Sequence, residues 1–438
     1  MRLPGGNTGW FDVRNYGAKG NAVFDLTSGT WTGTDDGPAI LATINAAIAS
    51  DQTFGNRFGT VYFSPCAPGR AYLISSEVAV QLSQAGLTSG SALHLRLLGC
   101  GADSMIVVGV TDNTKYGIAI DVQGMEWFQG VAENLAFCSA DFKNSSGHAM
   151  CKSALRLGAT VGRWVVRDIH FLALWANFAL LHLANGNFSV SNIEDAGSSS
   201  GHDTLGFAGF IYLDQPQVAR VDGVFSYGEV NYLGFDLGIT PGSGLGLHSA
   251  LVAVNANTDS GWGPSVVEVT NIHGTTRDGT LLYCYPITGT ARVASLKLSN
   301  FKTQSSSDGG CIAAYVDSLI IENGSWYAGA PYFLLDAYDV GRAVVRNIKT
   351  MTGATLPKVR ADSAVVTLEI DNVPLGTLTS LATQTIVDSG GGRQIPRYTN
   401  ASRPAAAALT FSPIFNTDLG SIQISDGTNW ITLAAEAP

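Results

Sequence analysis

The chain has 438 residues, of which 14% are charged, and a formal net charge of -10. That charge, with no Lys/Arg cluster, argues against nucleic acid or an anionic membrane as partner. No apolar run reaches the roughly 18 residues of a membrane-spanning helix. The opening "MRLPGGNTGWFDV" lacks the apolar stretch of a secretory signal. Cys66, Cys100, Cys138, Cys151, Cys284 and Cys311 lie far apart, with no C-x-x-C and no His at zinc-ligand spacing. Reduced, mostly buried thiols are expected, with Cys284 and Cys311 at similar places in successive repeats, and neither a metal nor a cofactor.

At the N-terminus a short strand and a Gly-rich turn lead into "TDDGPAILATINAAI". Thr34, Asp35 and Asp36 supply helix-start chemistry, Pro38 suits the first turn, and Ile40, Leu41, Ile44 and Ile48 form an apolar stripe, so a helix is expected over 36–49. Its position makes Asp35 and Asp36 caps rather than a catalytic pair. The run "FDVRNYGAKG" followed by "TDD" and an Ala/Ile helix resembles the opening of pectate-lyase-superfamily proteins, many of them phage tailspikes and polysaccharide depolymerases. "GTVYFSPCAPGRAYLI" and "ALHLRLLGCGADSMIVV" resemble that family's first coils, so the likeness covers about the first 110 residues closely. It implies a parallel β-helix whose open end is capped by the helix.

The remainder is repetitive. An apolar run ending in Asn or Asp recurs at Asn134, Asp168, Asn192, Asp222, Asn271, Asn300, Asn323, Asn347 and Asn372, with last steps of 29, 23, 24 and 25 residues. Between these lies a second apolar run: "GIAIDV", "ALRLG", "FALLHL", "FIYLD", "LVAVN", "LLYCY", "CIAAYV" and "FLLDA". A period of about 20–30 residues marks a solenoid, and short alternating strands without a helical pattern make each unit a β-coil. Short polar side chains tolerate tight-turn dihedrals, which accounts for one corner being Asn or Asp. The expected fold is all-β: a right-handed parallel β-helix of about ten coils. The expected divisions are an N-terminal strand and capping helix over 1–54, the β-helix over 55–388, and a linker with a small C-terminal β module over 389–438.

The resemblance implies a substrate groove over the outer face of the second apolar run and its flanking loops. His182, Asp214, Asn255, Tyr285, Tyr315 and Asp336 fall along those strands. Two long connections, "EDAGSSSGHDTLGFA" and "SYGEVNYLGFDLGITPGSGLGLHSA", direct attention to residues 190–310, because long loops in a regular scaffold are usually functional. "TRDGTLLYCY" and "SSDGGCIAAY" superpose, so Asp278 and Asp308 are expected at one slot in successive coils, within the ~5–9 Å used by glycosidase carboxylates. Glu229 and Asp214 are the further acid candidates. His182, His202, Arg277, Trp262, Tyr285, Trp175 and Tyr232 are candidates for substrate contact; Tyr227 is expected beside the groove.

An endo-acting glycoside hydrolase is the leading expectation. The alternatives are a lyase acting on a uronate-containing polymer and a non-catalytic glycan-binding tail fibre. The resemblance implies a polysaccharide partner, assembly as a homotrimer or a monomer, and a location outside the cell or on a virion tail.

Overall fold

The computed structural model describes residues 9–54, 59–83, 93–112, 114–123, 128–141, 151–160, 162–174, 176, 179–196, 209–231, 249–255, 265–277, 279–284, 291–303, 308–327, 333–388, 397–398, 400, 403–406, 413–416, 418–419 and 421–432. Among them the fold is all-β apart from one α-helix, Gly37–Phe54, and a short 3-10 turn. Ile40, Ile44 and Ile48 are buried and Leu41 packs partly against the same core, as their spacing requires. Asp35 Oδ1 accepts from the Gly37 and Ser75 amides at 3.0 Å each. The buried Asp36 carboxylate accepts from Lys19, Gly20 and Leu73 amides at 2.5, 3.1 and 3.3 Å. Both acids tie the helix start to the first strands.

Beyond the helix, each strand pairs in parallel with the strand one repeat later. Ser153–Ala159 lies between Tyr116–Gln123 and Ala179–Ala196, which pairs in turn with Gly209–Asn231. The long strands wrap around corners. Ala179–Ala196 has left-handed residues at Asn185, Gly186 and Asn192, so one continuous run supplies three sides of a coil. This is the pairing of a parallel solenoid, and it continues to Gln384–Asp388. A separate four-stranded sheet, from Arg397–Tyr398 to Trp430–Thr432, follows.

The interior is a continuous apolar column built from alternate residues of every run: Leu155, Leu181, Ile211, Val252, Leu282, Cys311 and Leu335 form one inner row. Alternation is a direct consequence of the strand's two-residue period. Where a large ring enters the column a neighbour shrinks: a Cβ on Gly130 would meet the buried Trp164 ring at 2.2 Å.

Eight of the nine expected corner residues have φ between 51° and 57°, in the left-handed region: Asn134, Asp168, Asn192, Asn271, Asn300, Asn323, Asn347 and Asn372. Asp222 departs. Asn192 aligns with Gly223, whose φ is 74°, so glycine takes the turn and Asp222 precedes it. Asp222 still serves the row, because Oδ1 accepts from Asn271 Nδ2 at 2.5 Å and Thr270 Oγ1 at 2.9 Å. Amides also bond from coil to coil along this edge, Asn372 to Asn347 at 3.1 Å and Asn347 to Asn323 at 3.3 Å.

All six cysteines are free thiols. Cys284 and Cys311 are buried but do not share a register position, since Cys311 pairs with Leu282. Burial pushes the Cys284 thiol up to about 12 and Cys311 well above its ordinary value.

Candidate functional site

The outer face of the second apolar run carries a row of residues in exact register. Ala119, Arg156, His182, Tyr212, Ala253, Tyr283, Ile312, Asp336 and Arg360 succeed one another across the coils. One step along the same face, Asp121, Gly158, Ala184, Asp214 and Asn255 form the neighbouring row. Parallel stacking therefore converts residues scattered from Ala119 to Arg360 into adjacent side chains, because the coils are about 4.8 Å apart.

A chain of hydrogen bonds and close polar contacts runs across these rows. Arg156 Nε donates to Asp121 at 2.9 and 3.1 Å, and its NH1 group donates to Tyr116 Oη at 3.0 Å. The same NH1 group lies 3.4 Å from His182 Nδ1. A guanidinium can only donate, so Nδ1 is the acceptor and the imidazole proton sits on Nε2. That nitrogen lies 3.5 Å from Asp214 Oδ2, and Asn255 Nδ2 donates to Asp214 Oδ1 at 2.8 Å. Tyr116 and Tyr212 flank the imidazole, with ring centroids 5.9 and 5.1 Å away.

Burial holds the His182 pKa below its ordinary value, with Arg156 adding to the effect, so the ring is neutral at neutral pH. Burial raises the Asp214 pKa, but the contact with the His182 ring, then Asn255 and the Arg156 charge, outweigh it and leave the pKa lowered. Burial, with the Asp214 charge, raises Tyr212. Asp214 is thus a preorganised anion with its side chain 25% exposed, supported by a histidine that is 3% exposed.

His182 was expected to touch substrate. It is buried between Arg156 and Asp214, with Nε2 3.5 Å from Asp214 Oδ2. Asp214 lies on the expected face. Arg156, Asp121 and Tyr116, which complete the chain, were missed: they lie in coils ahead of 190–310, and no loop length marks them. Their signal was the alternation of "ALRLG" and "GIAIDV", in which one charged residue interrupts each apolar run.

The other candidates fall elsewhere. Register sets Asn231 beside Arg277 and Gly279 beside Asp308. Glu229, next to Val230 in Gly209–Asn231, therefore joins Arg277 and Asp308 at the opening edge of the face strands. Asp308 precedes the Ala314 position by six residues, about 20 Å along a strand, whereas Asp214 sits at the closing edge. The alignment of the two Asp-Gly pairs is also shifted. Leu282, not Leu281, opposes Cys311, so Asp308 faces Gly279 and the shared Asp278/Asp308 slot is offset by one residue. Hydrophobic fit of Leu282 and Cys284 into the inner column sets that register. Asp278, His202, Trp175, Tyr232, Trp262 and Tyr285 lie outside the described residues, as does the Tyr227 side chain. The long connection after residue 226 starts later than expected, since strand continues to Asn231.

Among the described residues no group of three or more His, Cys, Asp or Glu could hold a metal ion, and no helix is long and apolar enough to cross a membrane.

Fold and face define a parallel β-solenoid with a polar ribbon of stacked side chains along one sheet. No protein-family model and no curated protein matches the chain. Among solved structures, bacteriophage CBA120 tailspike protein 3 is similar at 13% identity and a TM-score of 0.33, over 97% of this chain and 68% of that one. Geobacillus virus E2 ORF18 is similar at 12% and 0.32, over 98% and 87%. The catalytic unit of a GH87 α-1,3-glucanase from Streptomyces thermodiastaticus strain HF3-3 is similar at 12% and 0.23, over 90% and 73%. Likeness at these TM-scores carries no information about function.

Proposed function

We propose that the protein binds a polysaccharide along this outer face of a right-handed β-helix of about ten coils, and cleaves it by hydrolysis at Asp214. The supporting observation is the chain Asp121–Arg156–His182–Asp214–Asn255, which holds one partly exposed carboxylate ionised and oriented. An ionised carboxylate beside an anomeric carbon attacks it or takes a proton from water. Hydrolysis also needs an acid within about 5–9.5 Å. Asp121, three coil spacings or about 14 Å away, is too far to be that acid. Glu229 and Asp308, at the opening edge, form the alternative acid set with Asp278.

A lyase reading has its own observation. Lys152 Nζ and the Arg156 guanidinium lie 5.6 and 5.2 Å from the Tyr116 ring centre, grouping two cations with a phenol, as neutralisation of a uronate carboxylate and removal of its neighbouring proton would require. A homotrimer, with a monomer as the alternative, and a place outside the cell or on a virion tail complete the proposal; light scattering tests the assembly.

The test incubates wild type and Asp214→Asn with a panel of bacterial and plant polysaccharides. New reducing ends that depend on Asp214 support hydrolysis, and unsaturated uronides read by ultraviolet absorbance and mass support the lyase. Binding without any product leaves a glycan-binding fibre and removes the catalytic proposal.

A further inference from the structure

The corner that closes each face strand is occupied by left-handed residues at Asn185, Gln215, Tyr315 and Asp339. Asn and Asp tolerate this conformation, whereas a bulky residue there is a true outlier. Tyr315 has φ 57° and is half-buried, so an aromatic ring is kept at a strained position within reach of solvent. Such strain is commonly retained where a side chain has work to do.

The surroundings suit a sugar ring. Ala314 pairs with Tyr338 of the next coil, and Asp336 pairs with Arg360 of the coil after. The Arg360 guanidinium lies 4.8 Å from the Phe333 ring centre and 5.5 Å from that of Tyr338. Its Nε donates to Asp336 Oδ1 at 2.6 Å, and Tyr338 Oη donates to Asp336 Oδ2 at 3.0 Å. Asp336 matches the Arg360 cation, and Asp339, opposite Tyr315, accepts from Arg292 at 2.7 Å, so the cluster offers planar surfaces and hydrogen bonds without an excess of positive charge. Asp336 is four coil spacings from Tyr212 on the same face, about 19 Å.

We propose that Tyr315, with Tyr338 and Arg360, forms a second carbohydrate-contact site that stacks on a neutral pyranose ring several units from the Asp214 centre. It extends the proposal that this face binds polysaccharide, but it is read by retention rather than cleavage, so it can fail while the Asp214 chemistry stands. The experiment is electrophoresis of the full chain through gels cast with dextran, xylan or alginate. Wild type should be retarded in a dextran or xylan gel. Tyr315→Asn should weaken that apparent affinity up to about tenfold, the scale of one aromatic contact, while raising the melting temperature by about 1–2 °C through relief of strain. Tyr315→Phe should bind as wild type. Retardation in no neutral gel, equal retardation of Tyr315→Asn, or a lower melting temperature for that variant overturns the proposal.

Discussion

Two corners run the length of the solenoid, and they differ in kind. The corner through Asn134, Asp168, Asn192, Asn271, Asn300, Asn323, Asn347 and Asn372 repeats one chemistry, with Gly223 as the variant among them. The corner through Asn185, Gln215, Tyr315 and Asp339 repeats a backbone conformation but changes its side chain each time. Both need a left-handed residue, so geometry alone does not separate them. The uniform corner spends its side chains on bonds between coils, which stabilise the stack. The varied corner borders Asp214 and Tyr338, and its side chains differ in kind: Asp339 accepts from Arg292 at 2.7 Å, an ion pair that the neutral Asn185, Gln215 and Tyr315 do not repeat. Regularity marks the scaffold, and under the proposed function irregularity marks the edge that meets substrate.

The sharpest way to break this contrast is to compare the two edges of the face. Asp214→Asn, at the varied corner, should reduce polysaccharide cleavage by about 10²–10⁴-fold. Asp308→Asn, at the opening edge, and Asp278→Asn should leave the rate within a few-fold and the melting temperature nearly unchanged. Initial rates of reducing-end release decide it. Full activity in Asp214→Asn with loss in the Asp308 variant would move the reacting bond to the opposite edge.

Next in size is Arg156. Replacement by Met strips Asp121 of its partner and removes the donor that fixes the His182 tautomer. Because the pair is largely but not wholly buried, a loss of about 2 kcal/mol is expected in denaturant unfolding, together with lowered activity. An unchanged unfolding midpoint would mean that the pair contributes nothing to the face.

The uniform corner should answer in stability alone. Asn347 both adopts the left-handed turn and links Asn323 to Asn372. Asn347→Ala should cost about 2 kcal/mol, combining turn strain and two lost amide bonds, with cleavage unaffected. Gly223→Asn should be close to neutral, within about 0.5 kcal/mol, since its Cβ would meet nothing nearer than 3.4 Å. A large cost there would mean that the row is not interchangeable.

The smallest effect is on pH dependence. The His182 pKa lies below the unfolded value of about 6.5, so below that pH the unfolded chain binds a proton that the folded ring refuses. Stability should therefore decline as the pH falls through about 6.5, and His182→Gln should remove that component of the decline. Melting curves between neutral and mildly acidic buffer test the sign.

The repeat was legible in the chain because a solenoid writes its period directly: each coil needs the same turn residue and the same inward alternation. The helix start at Asp35 and Asp36 was legible for a related reason, since caps and turns are local and depend on neighbours in sequence. The exact register was not. Asp278 and Asp308 look equivalent by alignment, yet fitting Leu282 against Cys311 in the column moves Gly279 opposite Asp308. The chain Asp121–Arg156–His182–Asp214 was equally hidden, for its members come from four coils and are brought together by stacking at intervals that vary with each loop. Local chemistry is carried by the sequence itself, whereas which side chain meets which across coils depends on packing of the whole column, and only the tertiary structure decides it.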